Sequence, residues 1–237
     1  MDLLEWKHRH YKDNEFIVLY GSSSGIGFEY LKLLAEVGMN IIAISNEKAR
    51  LDVQTVELAK RYNIKIESLY CDLTNIEEIK SITDYLSKKA IVGAVINAGF
   101  GLKKLTNNDK MILVKDIVTL SSIGPSMILQ AVLPKLQQRN RGLVINVSSP
   151  PQGNDPVCTQ VHKASKAFWK SLCLSFKNEN RASNIYFQLV LPKAKYNEIN
   201  PNFYIQYSAR TARGSVNALH KIVYSSNLLD RLIPYFS

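Results

Sequence analysis

The stretch from Phe16 to Gly38 constrains the fold of this chain more than any other. It reads FIVLY-GSSSGIG-FEYLKLLAEVG: five apolar residues of a buried strand lead into three glycines, and apolar residues at helical spacing follow. A strand that turns through glycines into a helix exposes backbone N–H groups at the positive end of the helix dipole, where a dinucleotide pyrophosphate can bind. The glycine spacing is G-x-x-x-G-x-G, and a tight turn needed only for packing is the alternative explanation.

The rest of the chain alternates between segments typical of strands and segments typical of helices. Further strands are predicted at 40–45, 65–70, 91–97, 142–148 and 184–191. Helices are predicted at 47–62, 75–89, 108–138 (interrupted near Gly124-Pro125), 159–180 and 212–224. This alternation predicts one α/β domain, a Rossmann-type, doubly wound parallel sheet of six to seven strands with helices on both faces. Residues 1–15 are expected to form a surface arm, 16–237 the domain, and 192–237 a short, atypical lid within it.

The composition agrees with one folded domain. A chain of 237 residues, 46% hydrophobic and 21% charged, is large enough to bury a core without disulfides. The three cysteines lack the paired spacing of a metal site; they are Cys71, Cys158 and Cys173. Their pattern predicts no metal site and a reducing, intracellular compartment. We expect the cytoplasm by default and leave a mitochondrial location open. No apolar run approaches the ~20 residues of a transmembrane helix, and the N-terminal residues are too highly charged for a signal peptide.

The formal net charge of +10 raises nucleic-acid binding as a hypothesis. The basic residues are dispersed, however, and no basic run is interleaved with aromatic residues, so a nucleic-acid partner is disfavoured. A phosphate-bearing ligand or an acidic partner surface accounts for the charge equally well.

The turn-forming and polar residues follow the predicted strands. Since ligands of parallel α/β sheets bind at the carboxyl ends of the strands, these residues are expected to form one site. They are Gly21–Gly27, Ser45-Asn46, Asp72, Asn97-Ala98-Gly99, Ser148-Ser149 and Pro192.

The same residues resemble the short-chain dehydrogenase/reductase family over nearly the whole chain. GSSSGIG (21–27) resembles its cofactor turn, CDL (71–73) its adenine-contacting acid, NAG (97–99) its fourth-strand motif and LPK (191–193) its Pro-Gly turn. INVSS followed by HKASK (162–166) resembles its Ser…Tyr-x-x-x-Lys segment, with the family's spacing of thirteen residues between Ser149 and His162. Residues 130–149 are most similar to the 17β-hydroxysteroid dehydrogenase and very-long-chain 3-ketoacyl-CoA reductase branch, which includes hydroxysteroid-dehydrogenase-like members regarded as inactive.

The resemblance implies a binding site for a nicotinamide dinucleotide. Ser45-Asn46 supply no carboxylate for a ribose 2′-hydroxyl, no acid bars a 2′-phosphate, and Lys48 and Arg50 follow closely, so NADP(H) is slightly favoured over NAD(H). The alternatives are that Lys48 and Arg50 are merely solvated, or that no cofactor binds. The cofactor-binding residues implied are Gly21, Ser23, Ser24, Gly25, Ile26, Gly27, Ser45, Asn46, Asp72, Leu73, Asn97, Ala98, Gly99, Lys166 and Pro192.

The catalytic positions implied by the resemblance are Ser149, His162, Lys166 and Ser121, and two of them depart from the family. His162 stands in place of the tyrosine and Ser121 in place of the asparagine that holds a relay water. An imidazole can act as a general acid near neutral pH. It is about 2 Å shorter than a phenol, however, and a misplacement of ~1 Å can cost ~100-fold in rate. Tyr20 also replaces the usual threonine before the first glycine.

Two hypotheses follow. The first is a weakly active or inactive homologue that serves as a nucleotide-binding, interaction or assembly subunit. By family analogy it forms a homodimer through the helices at 116–138 and 159–180, or joins a larger assembly. The second is an active NADP(H)-dependent carbonyl reductase or alcohol dehydrogenase in which His162 is the general acid/base.

Overall fold

The computed structural model describes residues 2–97, 110–147, 156–180 and 182–190. Within them, six parallel strands form one sheet in the order β3-β2-β1-β4-β5-β6. The strands are β1 Phe16–Tyr20, β2 Asn40–Ser45, β3 Ile66–Tyr70, β4 Ile91–Ile96, β5 Gly142–Val147 and β6 Ile185–Val190. The helices are α1 Leu3–His10, α2 Gly25–Glu36, α3 Lys48–Tyr62, α4 Ile76–Ser87, α5 Lys110–Val118, α6 Gly124–Gln138 and α7 Pro156–Glu179. This single-domain Rossmann-type fold confirms the predicted fold class.

Helices cover both faces of the sheet. Residues of α1, α2 and α3 form one apolar core with one face, and residues of α4, α6 and α7 form a second core with the other. The four central strands are buried at every position, which explains their continuous apolar sequences, whereas the edge strands β3 and β6 are partly exposed. The strand order reverses between β1 and β4, so their carboxyl ends flank the crevice in which such sheets bind ligands.

The N-terminal residues differ from the predicted surface arm. They form helix α1, which begins at a capping box of Asp2 and Glu5. The side chains of Leu3 and Trp6 are buried and belong to the hydrophobic core. The carboxylate of Glu15, which is only 4% exposed, then pairs with Arg141 at 2.5 Å and with Arg139 at 3.4 Å. This packing could not be predicted from the sequence, because Leu3 and Trp6, one turn apart, and the single acid Glu15 form too weak a pattern.

The long helical segment is interrupted earlier than expected. A π-helical turn at Thr119–Ile123 separates α5 from α6, whereas Pro125 lies in the first turn of α6, where its missing N–H group costs little. By length and composition Val114–Gln138 is apolar enough to span a membrane, but 61% of its most apolar window is buried inside the domain. A core helix passes the same test, so the described residues give no clear transmembrane span.

Candidate functional site

The glycine loop between β1 and α2 requires glycine at three positions. Gly21 and Gly25 have φ values of +79° and +56°, which side-chain-bearing residues rarely adopt. Gly27 lies inside the first turn of α2, and a Cβ there would stand 1.8 Å from the carbonyl oxygen of Gly21 and 2.8 Å from Nδ2 of Asn97. The loop is therefore wound so tightly that its backbone forms the surface of the crevice.

Asn97, at the end of β4, holds this loop in place. Its side-chain amide donates a hydrogen bond to the carbonyl of Gly21 at 3.1 Å, and its backbone N–H donates to the carbonyl of Tyr20 at 3.0 Å. The backbone N–H groups of Gly21 and Ser22 donate to the carbonyl of Ile44 in β2 at 2.9 and 3.2 Å. The loop is thus fixed from both neighbouring strands.

The N-terminus of α2 is suited to an anion. Its N-cap residue, Ser24, is exposed, has extended backbone angles and makes no side-chain capping hydrogen bond, and no acidic residue occupies the first turn. The backbone N–H groups of a helix start need acceptors, and the helix dipole favours negative charge there. The backbone N–H groups at this helix start are therefore arranged as in a phosphate-binding site; they belong to Ser24, Gly25, Ile26 and Gly27.

Four residues meet at the end of β2. Ser23 and Ser45 were predicted from the sequence, and Glu47 and Gln54 were not. The buried hydroxyl of Ser45 donates to that of Ser23 at 2.6 Å and accepts from the backbone N–H of Glu47 at 3.1 Å. The Glu47 carboxylate pairs with Arg50 at 3.0 Å, so an acid does stand beside this position, contrary to the sequence expectation. Gln54, from the middle of α3, donates to the carbonyl of Ser23 at 3.3 Å. The signal for Glu47 was its place at the N-cap of α3, two residues past the strand.

Asp72 and Leu73 follow β3 on the same edge. One carboxylate oxygen of Asp72 accepts from the backbone N–H of Thr74 at 2.9 Å and from its hydroxyl at 2.8 Å. The backbone N–H of Asp72 donates to Glu78 at 2.7 Å, and Leu73 is buried. These bonds fix the direction of the Asp72 side chain at the start of α4.

The two positions at which the resemblance implied altered catalytic residues lie on elements that pack together. His162 is 5% exposed on α7, and Ser121 is 2% exposed in the π-helical turn. The neighbouring hydroxyl of Ser122 donates to the carbonyl of Ser165 on α7 at 3.5 Å. Lys166 lies one turn after His162 on the same helix, and its side chain is outside the described part of the structure. Ala98, Gly99, Ser149 and Pro192 also fall outside the described residues.

A buried polar contact attaches α7 to β5 behind these positions. The side chain of Asn146 accepts from the indole N–H of Trp169 and donates to the sulfur of Cys173 at 3.0 Å. Burial raises the pKa of the Cys173 thiol to about 12, only partly offset by the Asn146 hydrogen bond. Cys173 is therefore a structural, protonated thiol.

The comparisons with known proteins identify the family. The model of the short chain dehydrogenase family matches residues 15–203, and the chain belongs to that family. The very-long-chain 3-oxoacyl-CoA reductase of Bos taurus is 27% identical over 183 residues, which cover 75% of this chain and 58% of the relative. That of Aspergillus clavatus is 28% identical, covering 73% and 51%. The chain thus spans only 51–58% of the length of these curated relatives.

Solved structures agree on the fold. The bulky-bulky ketone specific alcohol dehydrogenase from Comamonas testosteroni superposes with a TM-score of 0.74 at 22% identity, over 94% of this chain and 92% of that one. A short-chain dehydrogenase from Sphingobium yanoikuyae in complex with NADPH gives 0.69 at 21%, over 93% and 92%. A metagenomic short-chain oxidoreductase in complex with NADP gives 0.66 at 24%, over 85% and 91%.

Proposed function

We propose that this chain binds a nicotinamide dinucleotide at the carboxyl edge of its sheet and transfers hydride slowly or not at all, serving as a nucleotide-binding or assembly subunit. The glycine loop is the observation that supports cofactor binding. Gly27 has no room for a Cβ beside Gly21, and Asn97 holds the turn by a hydrogen bond to the Gly21 carbonyl. Two structurally similar proteins bind NADP and NADPH.

The residues present fit such a cofactor. The uncapped start of α2 would hold the pyrophosphate, Ser23 and Ser45 would lie nearest the ribose, and Asp72 would lie nearest the adenine. When bound, the nicotinamide ring supplies the hydride chemistry of this family. The chain's own contribution is to hold and orient the dinucleotide along four strand ends.

We further propose a slight preference for NADP(H). Glu47 can accept hydrogen bonds from ribose hydroxyls, whereas Arg50 can bind a 2′-phosphate. Because the Glu47 charge is already compensated by Arg50 at 3.0 Å, the acid repels a phosphate less than a lone carboxylate would. Lys48, exposed beside them, adds a second cation.

The low turnover rests on His162 and Ser121. An imidazole on a well-packed helix reaches about 2 Å less far than a phenol, and such a misplacement costs on the order of 100-fold or more. Ser121 replaces an amide with a shorter hydroxyl in a buried turn. Both changes weaken proton transfer while leaving the glycine loop intact.

One feature supports the alternative, an active reductase: Lys166 follows His162 by one turn of α7, the spacing needed to act on the same group. Measurements of turnover distinguish the weakly active subunit from the active reductase.

We expect carbonyl-dependent oxidation of NADPH by the wild type to fall below the ordinary enzyme range of about 1–1,000 s⁻¹. His162→Tyr should raise it and His162→Ala should leave it unchanged. Ordinary rates that fall at least ~100-fold in His162→Ala would instead establish His162 as the general acid.

Cofactor binding is tested separately by thermal stability. A ligand at 100 times its dissociation constant stabilises the folded state by about 2.7 kcal/mol, which shifts the melting temperature of a domain this size by roughly 5–10 °C. We expect this shift with NADPH and with NADH at higher concentration. Unchanged melting with both, at millimolar cofactor, contradicts the proposal.

We also propose that two copies pair through α6 and α7. Exposed apolar side chains lie at the start of this layer and on α7, namely Ile123 at 37% and Phe168 at 49% exposure. Sedimentation should show a dimer that Phe168→Asp dissociates and that Val53→Asp, at a more exposed apolar site on α3, leaves intact. A monomeric wild type would contradict the pairing.

A further inference from the structure

Tyr20 links the glycine loop to helix α6, which packs against the same hydrophobic core. It is the last residue of β1, directly before Gly21, and its phenol is 1% exposed. Within the described residues its hydroxyl has no hydrogen-bond partner. Burial, followed by the nearby Cys71 and Asp72, raises the pKa of Tyr20 well above its usual value, so the phenol is neutral. A buried hydroxyl without a partner calls for a physical explanation.

The phenol lies against the backbone of α6 at Gly124. A Cβ on Gly124 would stand 2.6 Å from the Tyr20 hydroxyl oxygen and 3.2 Å from the carbonyl oxygen of Thr119. The N–H group of Gly124 donates to that same carbonyl, five residues back, and so closes the π-helical turn. Single π-helical turns of this kind are rare and occur frequently at functional sites. Tyr20 therefore contacts α6 at the residue where the turn closes.

The same turn leads to the candidate catalytic helix. Ser121 lies within it, and Ser122 donates to the Ser165 carbonyl on α7, the helix of His162. The Thr119 hydroxyl, also buried, likewise has no hydrogen-bond partner among the described residues. Neither the Tyr20 nor the Thr119 hydroxyl therefore contributes a hydrogen bond to the described residues at this turn, and the contact of Tyr20 with Gly124 is one of packing.

We propose that Tyr20 is a positioning residue whose phenol holds the π-helical turn in its wide form and couples it to the glycine loop. The connection is short, because the backbone of Tyr20 continues into Gly21 while its side chain touches Gly124. Binding at the loop is therefore transmitted to Ser121 and α7 without direct ligand contact. This last consequence rests on the proposed cofactor binding, whereas the packing itself does not.

A double-mutant cycle tests the packing. Gly124→Ala should lower the melting temperature strongly in the wild type, because its Cβ meets the phenol oxygen, and much less in the Tyr20→Phe background, which lacks that atom. Gly93→Ala is the control: its Cβ would meet the carbonyl oxygen of Leu143 at 2.6 Å, so Tyr20→Phe should not rescue it. Equal losses from Gly124→Ala in both backgrounds overturn the proposal. If Gly124→Ala alone fails to fold, a folded double variant supports it and an unfolded one overturns it.

Amide hydrogen exchange tests the coupling. In the cofactor-free protein, Tyr20→Thr should speed exchange at Thr119–Ile123 by about tenfold or more relative to β5, a local opening. Val18→Ala, a buried change on the same strand and core face, should not. In the wild type, NADPH should slow exchange in the turn, and Tyr20→Thr should abolish that effect. Unchanged exchange in cofactor-free Tyr20→Thr overturns the inference, whether or not NADPH binds. If NADPH fails to bind the wild type while the cofactor-free result holds, only the proposed function fails.

Discussion

Placing a carboxylate at Ser24 should separate folding of the glycine loop from binding by it. Ser24 is exposed, has N-cap geometry and makes no side-chain cap, so an aspartate there can cap α2 and lie favourably in its dipole. We therefore expect Ser24→Asp to keep or raise the stability of the cofactor-free protein by roughly 0.3–1 kcal/mol. A loss of binding would then not be a folding defect.

The same carboxylate should oppose a bound pyrophosphate. At a separation of about 5 Å and an effective dielectric constant of about 20, two like unit charges repel by roughly 3 kcal/mol, which corresponds to at least ~100-fold in dissociation constant. Ser24→Asn is the matched control, because asparagine caps a helix equally well without the charge. Fluorescence titration of NADPH should show near wild-type affinity for Ser24→Asn and an affinity at least ~100-fold weaker for Ser24→Asp.

The salt dependence adds a second check. Salt at 1 M weakens the attraction of Lys48 and Arg50 for the cofactor in both variants, but it also weakens the repulsion by Asp at position 24, so the difference in affinity between Ser24→Asp and Ser24→Asn should become smaller. If the two variants bind NADPH equally well, the pyrophosphate does not lie at the start of α2, and the assignment of this site is wrong.

Three further predictions concern charges and thiols. Glu47→Gln should shift the ratio of NADPH to NADH affinity toward NADPH by about tenfold in competitive titrations, since it removes an acid beside the 2′ position; an unchanged ratio places Glu47 away from the ribose. Glu15→Gln should cost about 2 kcal/mol in urea unfolding, because it leaves guanidinium groups 19% and 29% exposed without their charge partner; a loss no larger than for Arg50→Ala, which breaks the more exposed pair with Glu47, would contradict this. Cys71 and Cys173, whose pKa values burial raises to about 12, should resist alkylation at pH 8 until the chain unfolds, as read by mass spectrometry. The unfolded thiols ionise near ~8.5, so these groups should lower stability as pH rises from there toward 12.

The alternation of strands and helices was predictable because burial on both faces forces continuous apolar strands. Five bounded apolar runs marked the central strands and β6. The helix predicted at 75–89 is α4, and the side chain of Asn75 caps it by accepting from the N–H groups of Glu77 and Glu78. The Gly21–Gly27 turn could be recognised because only glycine tolerates its positive φ values and close contacts.

Features that depend on contacts distant in sequence were not predictable. Helix α1 is held by Trp6 in the core and by Arg141, which donates a hydrogen bond to the carbonyl of His10, 131 positions earlier; no local pattern reveals either contact. The π-helical turn arises where Tyr20 meets Gly124, more than a hundred residues later. Glu47 was missed because the sequence analysis considered only the two residues that end β2 and the cations behind them.

Calorimetric titration of NADPH into the purified 237-residue chain tests the central claim most directly. We predict saturable binding at one site per chain, with carbonyl-dependent oxidation of the bound cofactor slow or absent. Absence of binding by either NADPH or NADH to a folded protein would contradict it and leave the glycine loop as a packing turn alone.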